Sequence, residues 1–305
     1  MKQRIDRFFC EGINATLLHL YIHQPNDRQP GKGAWYGNEF NRNGCWFEGM
    51  KSFIQYLRRC NYMLQQGRYV ADVAYFIGED APKMTGVCDP ALPDGYSFDY
   101  INADVLKNHA KVRDNKLVLD SGMEYSILVL PQQNTMRPEI LECIYGFEQQ
   151  GLQVLGPLPE RSPSLENYPD ADTRVQELAV LMDPYTIADG VSLETAFYNM
   201  GLEPDFQYTG DADIRFIHRT LGEDGDIYFV SNQDDSPAEI LPEFRMEPGQ
   251  TVQIWDPLSG EISSWNGESL KLDALQSVFV IFRNDISESV ETKSDSETVE
   301  LTASW

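Results

Sequence analysis

The chain has 305 residues, 42% hydrophobic and 11% aromatic, enough to build sizeable cores and about two domains. Lys and Arg number 24 against 48 Asp and Glu, and the resulting net charge of −24 argues against nucleic acid backbones and anionic membranes as partners. No apolar run approaches the about 18 residues that cross a bilayer.

Residues 1–12 read as an amphipathic helix, without the apolar core of a signal peptide. Residues 14–22 read as a buried strand, with His19, Tyr21 and His23 on one parity and Leu18, Leu20 and Ile22 on the other. A loop follows in which Gly31, Gly33 and Gly37 alternate with Trp35, Tyr36 and Phe40, closing at Asn43-Gly44-Cys45-Trp46. Residues 46–66 are the covering helix. A strand that turns polar at its C-terminal end and enters a ring-rich loop is how an α/β barrel builds one wall of a ligand pocket. Residues 1–66 hold only one such unit. A (β/α)8 barrel needs eight of them and about 250 residues, so this segment cannot close a barrel alone, and its apolar surfaces are expected to rest on the next domain or on partners outside this chain.

Residues 70–77 form a strong strand pattern, broken by Gly78-Glu79-Asp80-Ala81-Pro82. A helix is expected over 99–108 with Asp99 as its N-cap. Strands are expected at 116–119, 125–131 and 152–155, and helices at 137–150, 172–182 and 192–200. The alternation implies a mostly parallel sheet with helices on both faces, so residues 67–212 read as an open α/β domain of flavodoxin or amidotransferase-like outline. From Ile214 the helices stop. Seven short strands between 214 and 283 mark residues 213–284 as a β-rich region, partly extending the α/β sheet and partly a small sandwich. Residues 285–305 read as an acidic Ser/Thr-rich linker and the start of a further domain. The chain as a whole reads as an internal piece of a longer protein.

The chemistry-bearing residues concentrate near the first strand. His19, His23 and Gln24 suit hydrogen bonding to sugar hydroxyls, and Trp35 offers a ring face to a sugar; a satisfied core histidine and a loop-packing tryptophan are the plainer alternatives. On a strand, His-x-x-x-His lacks the geometry of a helical metal pair, so no metal site is assigned. Glycoside hydrolysis needs two carboxylates, but none of Asp27, Glu39 and Glu48 stands at the end of an expected strand. Glu79 and Asp80 read as a cap or turn. Nucleotide-binding and nucleophile-elbow motifs are absent. Cys10, Cys45, Cys60, Cys88 and Cys143 include no CxxC pair, which indicates neither zinc nor a disulfide framework. Scattered thiols lean toward the cytoplasm, while secretion remains open.

Several stretches carry a family resemblance: Phe9-Cys10-Glu11-Gly12-Ile13-Asn14, His19-Leu20-Tyr21-Ile22-His23-Gln24-Pro25, Phe40-Asn41-Arg42-Asn43 with Trp46, and Tyr75-Phe76-Ile77-Gly78-Glu79-Asp80-Ala81-Pro82. Pro93-Asp94-Gly95-Tyr96, Leu128-Val129-Leu130-Pro131, Tyr228-Phe229-Val230-Ser231-Asn232-Gln233 and Trp255-Asp256-Pro257 extend it. In this order they resemble the C-terminal part of glycoside hydrolase family 106, the α-L-rhamnosidases. The resemblance implies an inverting exo-hydrolase releasing α-linked L-rhamnose from plant glycans or glycosides. It also implies a (β/α)8 catalytic barrel, of which residues 1–66 would be the last β-α unit, followed by an amidotransferase-like domain and β-sandwiches, with calcium at the sugar site of the full-length enzyme.

His19, His23 and Gln24 match the family's last-strand motif and are the residues carried over, as lining of the substrate pocket. The acid and base carboxylates are expected on earlier barrel strands, upstream of this chain, so the isolated chain is expected to be inactive. No cofactor is evident in the chain itself. The alternative is a non-catalytic α/β scaffold that holds sugar or mediates homo-oligomer contacts.

Overall fold

The computed structural model describes residues 1–28, 31, 40–79, 86–246 and 249–284. In chain order the elements are α1 (Lys2–Cys10), α2 (Met50–Leu64), β1 (Arg68–Tyr69), β2 (Val73–Phe76), β3 (Phe98–Ile101), α3 (Ala103–Asn108), β4 (Ala110–Arg113), β5 (Lys116–Leu119) and β6 (Glu124–Tyr125). Then come β7 (Ile127–Val129), α4 (Pro138–Glu148), β8 (Gln153–Leu155), α5 (Asp170–Met182), α6 (Leu193–Met200), β9 (Phe206–Thr209), β10 (Ile214–Thr220) and β11 (Gly225–Asn232). The last are β12 (Ala238–Phe244), β13 (Thr251–Trp255), β14 (Ile262–Ser264), β15 (Leu270–Leu272) and β16 (Ser277–Arg283).

The two N-terminal helices form because their apolar residues recur on one face. In α2, Tyr56, Leu57, Cys60, Met63 and Leu64 are buried at helical spacing, and in α1 Phe9 is fully covered. Both stripes rest on Ile217, Ile227, Phe229, Phe279 and Ile281, which project from one face of a six-stranded sheet of order β1-β10-β11-β16-β13-β14. Each such large side chain contributes about 1.5–3 kcal/mol by leaving water. One buried polar group fixes the registration. Asp6 accepts hydrogen bonds from Lys2 (2.6 Å), Tyr56 (2.5 Å) and Ser277 (2.7 Å), so its charge is shared by both helices and the sheet.

The opposite parity of the same strands makes a second core. Tyr228, Val230, Val278, Val280 and Phe282 pack against the three-stranded sheet β15-β12-β9. The strands after 214 therefore build a layered sandwich and do not extend the parallel sheet, and pairing draws in β1 and β9 from earlier in the chain.

A separate four-stranded parallel sheet, of order β3-β2-β7-β8, lies between the sandwich elements in sequence. Alternate residues of β2 go to opposite faces. Ala74 and Phe76 meet α3, α4 and α5, while Val73 and Tyr75 meet α6 through Leu193 and Phe197. The expected two-sided α/β layer is present, with β4, β5 and β6 as a small antiparallel sheet beside it.

Two local readings are corrected. Residues 98–101 are strand, because they pair in parallel with β2, and the helix starts later with Asn102 as N-cap accepting from the Val105 N–H. Residues 14–22 form no regular strand. They run extended with a single bridge, Tyr21 to Phe40, because among the described residues no second segment offers a ladder.

Candidate functional site

The extended stretch after α1 is a rim rather than a core strand. Leu17 is 96% exposed and Tyr21 53% exposed, and Ile13 and Leu20 are also exposed. His19, Tyr21 and His23 are all exposed, as a shared parity on an extended backbone requires. The chain then turns back, and Ile22 donates its N–H to Phe40 O at 3.0 Å.

Gln24 is different: it is 3% exposed. Its Nε2 donates to Arg28 O (2.8 Å) and its Oε1 accepts from Asn41 Nδ2 (3.0 Å). Asn41 Oδ1 in turn accepts from the Asn43 N–H (2.8 Å), and Asn43 Nδ2 donates to Asn26 O (3.1 Å). This knot of neutral amides holds the two ends of the Gly-rich loop together beneath the rim. Arg42 and Asp27 add an exposed ion pair at 3.0 Å. Phe40 meets Trp46 edge-on, with ring centroids 5.4 Å apart, so Trp46 packs the loop end against the start of α2.

Trp35 and Glu39 lie outside the described residues. Asp27 and Glu48 are exposed, and Asp27 is committed to Arg42. Glu79 accepts hydrogen bonds from the backbone N–H and the Nε of Arg137 at the start of α4, so it anchors a helix.

Calcium requires a set of six to eight oxygen ligands. Among the described residues no group of three or more His, Cys, Asp or Glu is placed to hold a metal, and the rim amides are engaged with one another. The residues described here do not fit the ion. All five cysteines are free thiols, and burial pushes the Cys60 thiol up to about 12.

A second cluster was not anticipated from the sequence. His218 is 5% exposed and lies between two carboxylates, with Nδ1 2.9 Å from Asp205 Oδ1 and Nε2 3.0 Å from Asp226 Oδ1. Its ring stacks on Tyr228, at 4.0 Å between centroids, and the Tyr228 hydroxyl donates to Asp205 at 2.8 Å. Arg245 completes the cluster, donating to Asp72 at 2.8 Å and lying 3.6 Å from Asp205. Burial, the largest influence on His218, lowers its pKa, but the hydrogen bonds to Asp205 and Asp226 outweigh it and raise the pKa above the usual 6.5. The cluster joins the start of the parallel sheet at Asp72 to strands β10 and β11 of the sandwich and to the residues flanking β9 and β12. The sequence did carry a signal for it: His218 shares the parity of Ile214 and Phe216, and a histidine on an apolar parity needs a partner.

Comparisons with known proteins agree with the architecture. Residues 1–267 match the model of glycoside hydrolase family 106, described as alpha-L-rhamnosidase. A rhamnosidase from Novosphingobium sp. PP1Y superposes with a TM-score of 0.82 at 31% identity, over 94% of this chain and 30% of that one. A Formosa agariphila protein named "Putative beta-glucuronidase" is 34% identical over 292 residues, 92% of this chain and 25% of its own length. This chain thus spans less than a third of either relative. With the family model covering most of its length, the chain belongs to glycoside hydrolase family 106, the alpha-L-rhamnosidases.

Proposed function

We propose that residues 1–66 are the closing β-α unit of a (β/α)8 catalytic barrel, that 67–212 are an amidotransferase-like α/β domain, and that 213–284 are a β-rich region. Residues 285–305, proposed as a linker leading into a further domain, lie outside the described residues. The parent enzyme is an inverting α-L-rhamnosidase that releases terminal α-L-rhamnose from plant polysaccharides or glycosides. In it a general acid protonates the leaving oxygen and a base activates water on the opposite face of the sugar. Both carboxylates belong to strands outside this chain. His19 and His23 line the substrate pocket, Gln24 supports their backbone from below, and Trp35 supplies a ring face.

The observation that carries this reading is the rim. An extended segment with one bridge among the described residues shows two His, a Tyr and two Leu to solvent, while the apolar faces of the helices behind it are packed on the sheet. A contiguous apolar surface of this kind marks a face that meets further protein.

The test is hydrolysis of an aryl α-L-rhamnoside by this chain and by a longer gene product carrying upstream strands. The longer product is expected to cleave, and nuclear magnetic resonance is expected to show β-L-rhamnose as the first anomer. The 305-residue chain is expected to be inert. Retention of the α-anomer would overturn the inverting mechanism.

For the isolated chain one observation favours a second reading, a non-catalytic module. Of the rim carboxylates, Asp27 is paired with Arg42 and Glu48 is exposed on a 3₁₀ turn, so the described residues present no opposed pair. A longer product that binds rhamnosides without cleaving them would establish the module.

A further inference from the structure

A wide cleft of about 1200 Å³ opens where the rim leaves α1. One end is Gly12 and Asn14, one wall is the edge strand β3, and the other is formed by β9 and β10. Its floor is preformed. Gly95 accepts from the Asp205 N–H at 2.8 Å, and a side chain at Gly95 would come within 2.5 Å of Phe206 O, so the parallel-sheet layer and the sandwich are locked together beneath the opening.

Two properties of the lining define what fits. The first is ring surface. Phe98, Tyr100, Tyr208 and Phe216 are all only partly buried, and Phe98 and Tyr100 pack edge-on with centroids 5.2 Å apart. Partly covered rings present flat apolar faces of the kind that stack on the C–H face of a pyranose.

The second is charge. The cleft holds Arg7, Arg215 and Arg219, but each guanidinium is already engaged. Arg7 pairs with Glu11 at 3.0 Å, Arg215 with Asp213 at 2.7 Å, and Arg219 donates to the carbonyls of Gln66 and Gly67. Among the described residues no cation is set against Asp94 or Asp99, and Asp99 accepts from the Tyr125 hydroxyl at 2.8 Å. The lining holds four carboxylates, Glu11, Asp94, Asp99 and Asp213, against three guanidiniums, so it offers acceptors to hydroxyl donors and a net negative charge to a carboxylate or phosphate.

We infer that this cleft is a second saccharide-binding site, taking neutral pyranose units of a glycan and excluding uronates. The inference rests on the carbohydrate reading above and adds a place for sugar units beyond the one that is cleaved. The cleft begins beside Asn14, on the segment that continues into the rim, so a branched or extended glycan reaches both.

The test uses the 305-residue chain, titrated calorimetrically with the neutral disaccharide rhamnosyl-α-1,6-glucose and, at equal ionic strength, with digalacturonate. The neutral sugar is expected to bind saturably, with a Kd on the order of 1 mM, and digalacturonate not to bind. Phe216→Leu keeps apolar volume but removes the ring face, and is expected to weaken binding about tenfold. Asp94→Asn, an exposed change with little effect on folding, is expected to weaken it severalfold. Tyr198→Ala, an exposed change on α6 outside the cleft lining, is expected to leave it unchanged.

The inference is overturned if no neutral sugar binds, if digalacturonate binds as well, or if His23→Ala abolishes binding while Phe216→Leu and Asp94→Asn do not. It also fails if hydroxyl-radical footprinting of the longer gene product finds Phe98, Tyr100 and Phe216 shielded without sugar, since the cleft is then a packing surface. Rhamnoside cleavage by the longer product is read separately, so these failures leave the family activity standing, and a failure of cleavage leaves the binding result interpretable.

Discussion

Two knots of polar side chains hold this chain in shape, and they are built on opposite plans. The rim knot joins Gln24, Asn26, Asn41 and Asn43, neutral amides close together in sequence, within an otherwise exposed segment. The knot around His218 joins Asp72, Asp205, Asp226 and Arg245, charged groups spread over 173 residues, and it is buried. A neutral amide network shapes a loop, and each of its hydrogen bonds is worth about 1 kcal/mol net. A buried charged network ties layers together and is intolerant of losing a member, because the remaining charges are left unpaired out of water.

The sharpest way to break that contrast is at His218. His218→Ala removes the group between the buried Asp205 and the half-buried Asp226 and is expected to cost about 3 kcal/mol in urea unfolding. A cost below about 1 kcal/mol would mean that the two knots do not differ in kind. The same residue sets a pH dependence. Its pKa is raised in the folded state, so its contribution is complete below the unfolded value near 6.5 and is lost as the pH climbs through the folded value. The melting temperature is therefore expected to fall as the pH rises above the unfolded value, and His218→Gln to flatten that slope.

Next in size is Gly95→Ala. Gly95 has φ +86°, and a Cβ there would also lie 2.9 Å from Pro204 Cβ. A loss of about 2 kcal/mol is expected, read by thermal unfolding, because both the backbone conformation and the close approach of the layers resist a side chain. Gln24→Ala should cost less, about 1 kcal/mol, and its effect should be local. Hydrogen exchange is expected to speed up at the amides of Ile22 and Asn43 and to stay unchanged in β10, β11 and β16. Faster exchange in those strands would show that the rim knot is part of the global fold.

What the sequence revealed follows the same division. The helices α1 and α2 were legible because their apolar spacing is local, and the alternation from 70 to 200 was enough to show a parallel sheet with helices on both faces. The stretch 14–22 has a convincing strand pattern, yet a strand is made by its neighbours, and among the described residues only Phe40 bridges to it. Asp99 looked like a cap because nothing local reveals that residues 98–101 pair with β2. Short strands such as β4 and β9 carry too few residues to show a period. The rim residues stood out as a polar strand end entering a ring-rich loop and were then matched by the family resemblance, whereas the His218 cluster draws its partners from positions far apart in the chain and shows in the sequence only as a histidine on an apolar parity.

The smallest expected stability change separates the rim's architecture from its chemistry. His23 is exposed, so His23→Ala should alter unfolding by no more than about 0.5 kcal/mol. If His23 lines the rhamnose pocket, the same substitution in the longer gene product should lower kcat/KM by about 10–100-fold, since a polar group that meets a sugar hydroxyl in the transition state contributes about 1.5–3 kcal/mol when charge assists it. A KM rise with kcat unchanged would place the contact on the bound sugar, and a matched fall in kcat and kcat/KM would place it on the transition state. A variant with full activity would show that His23 only covers the barrel mouth and does not touch the sugar.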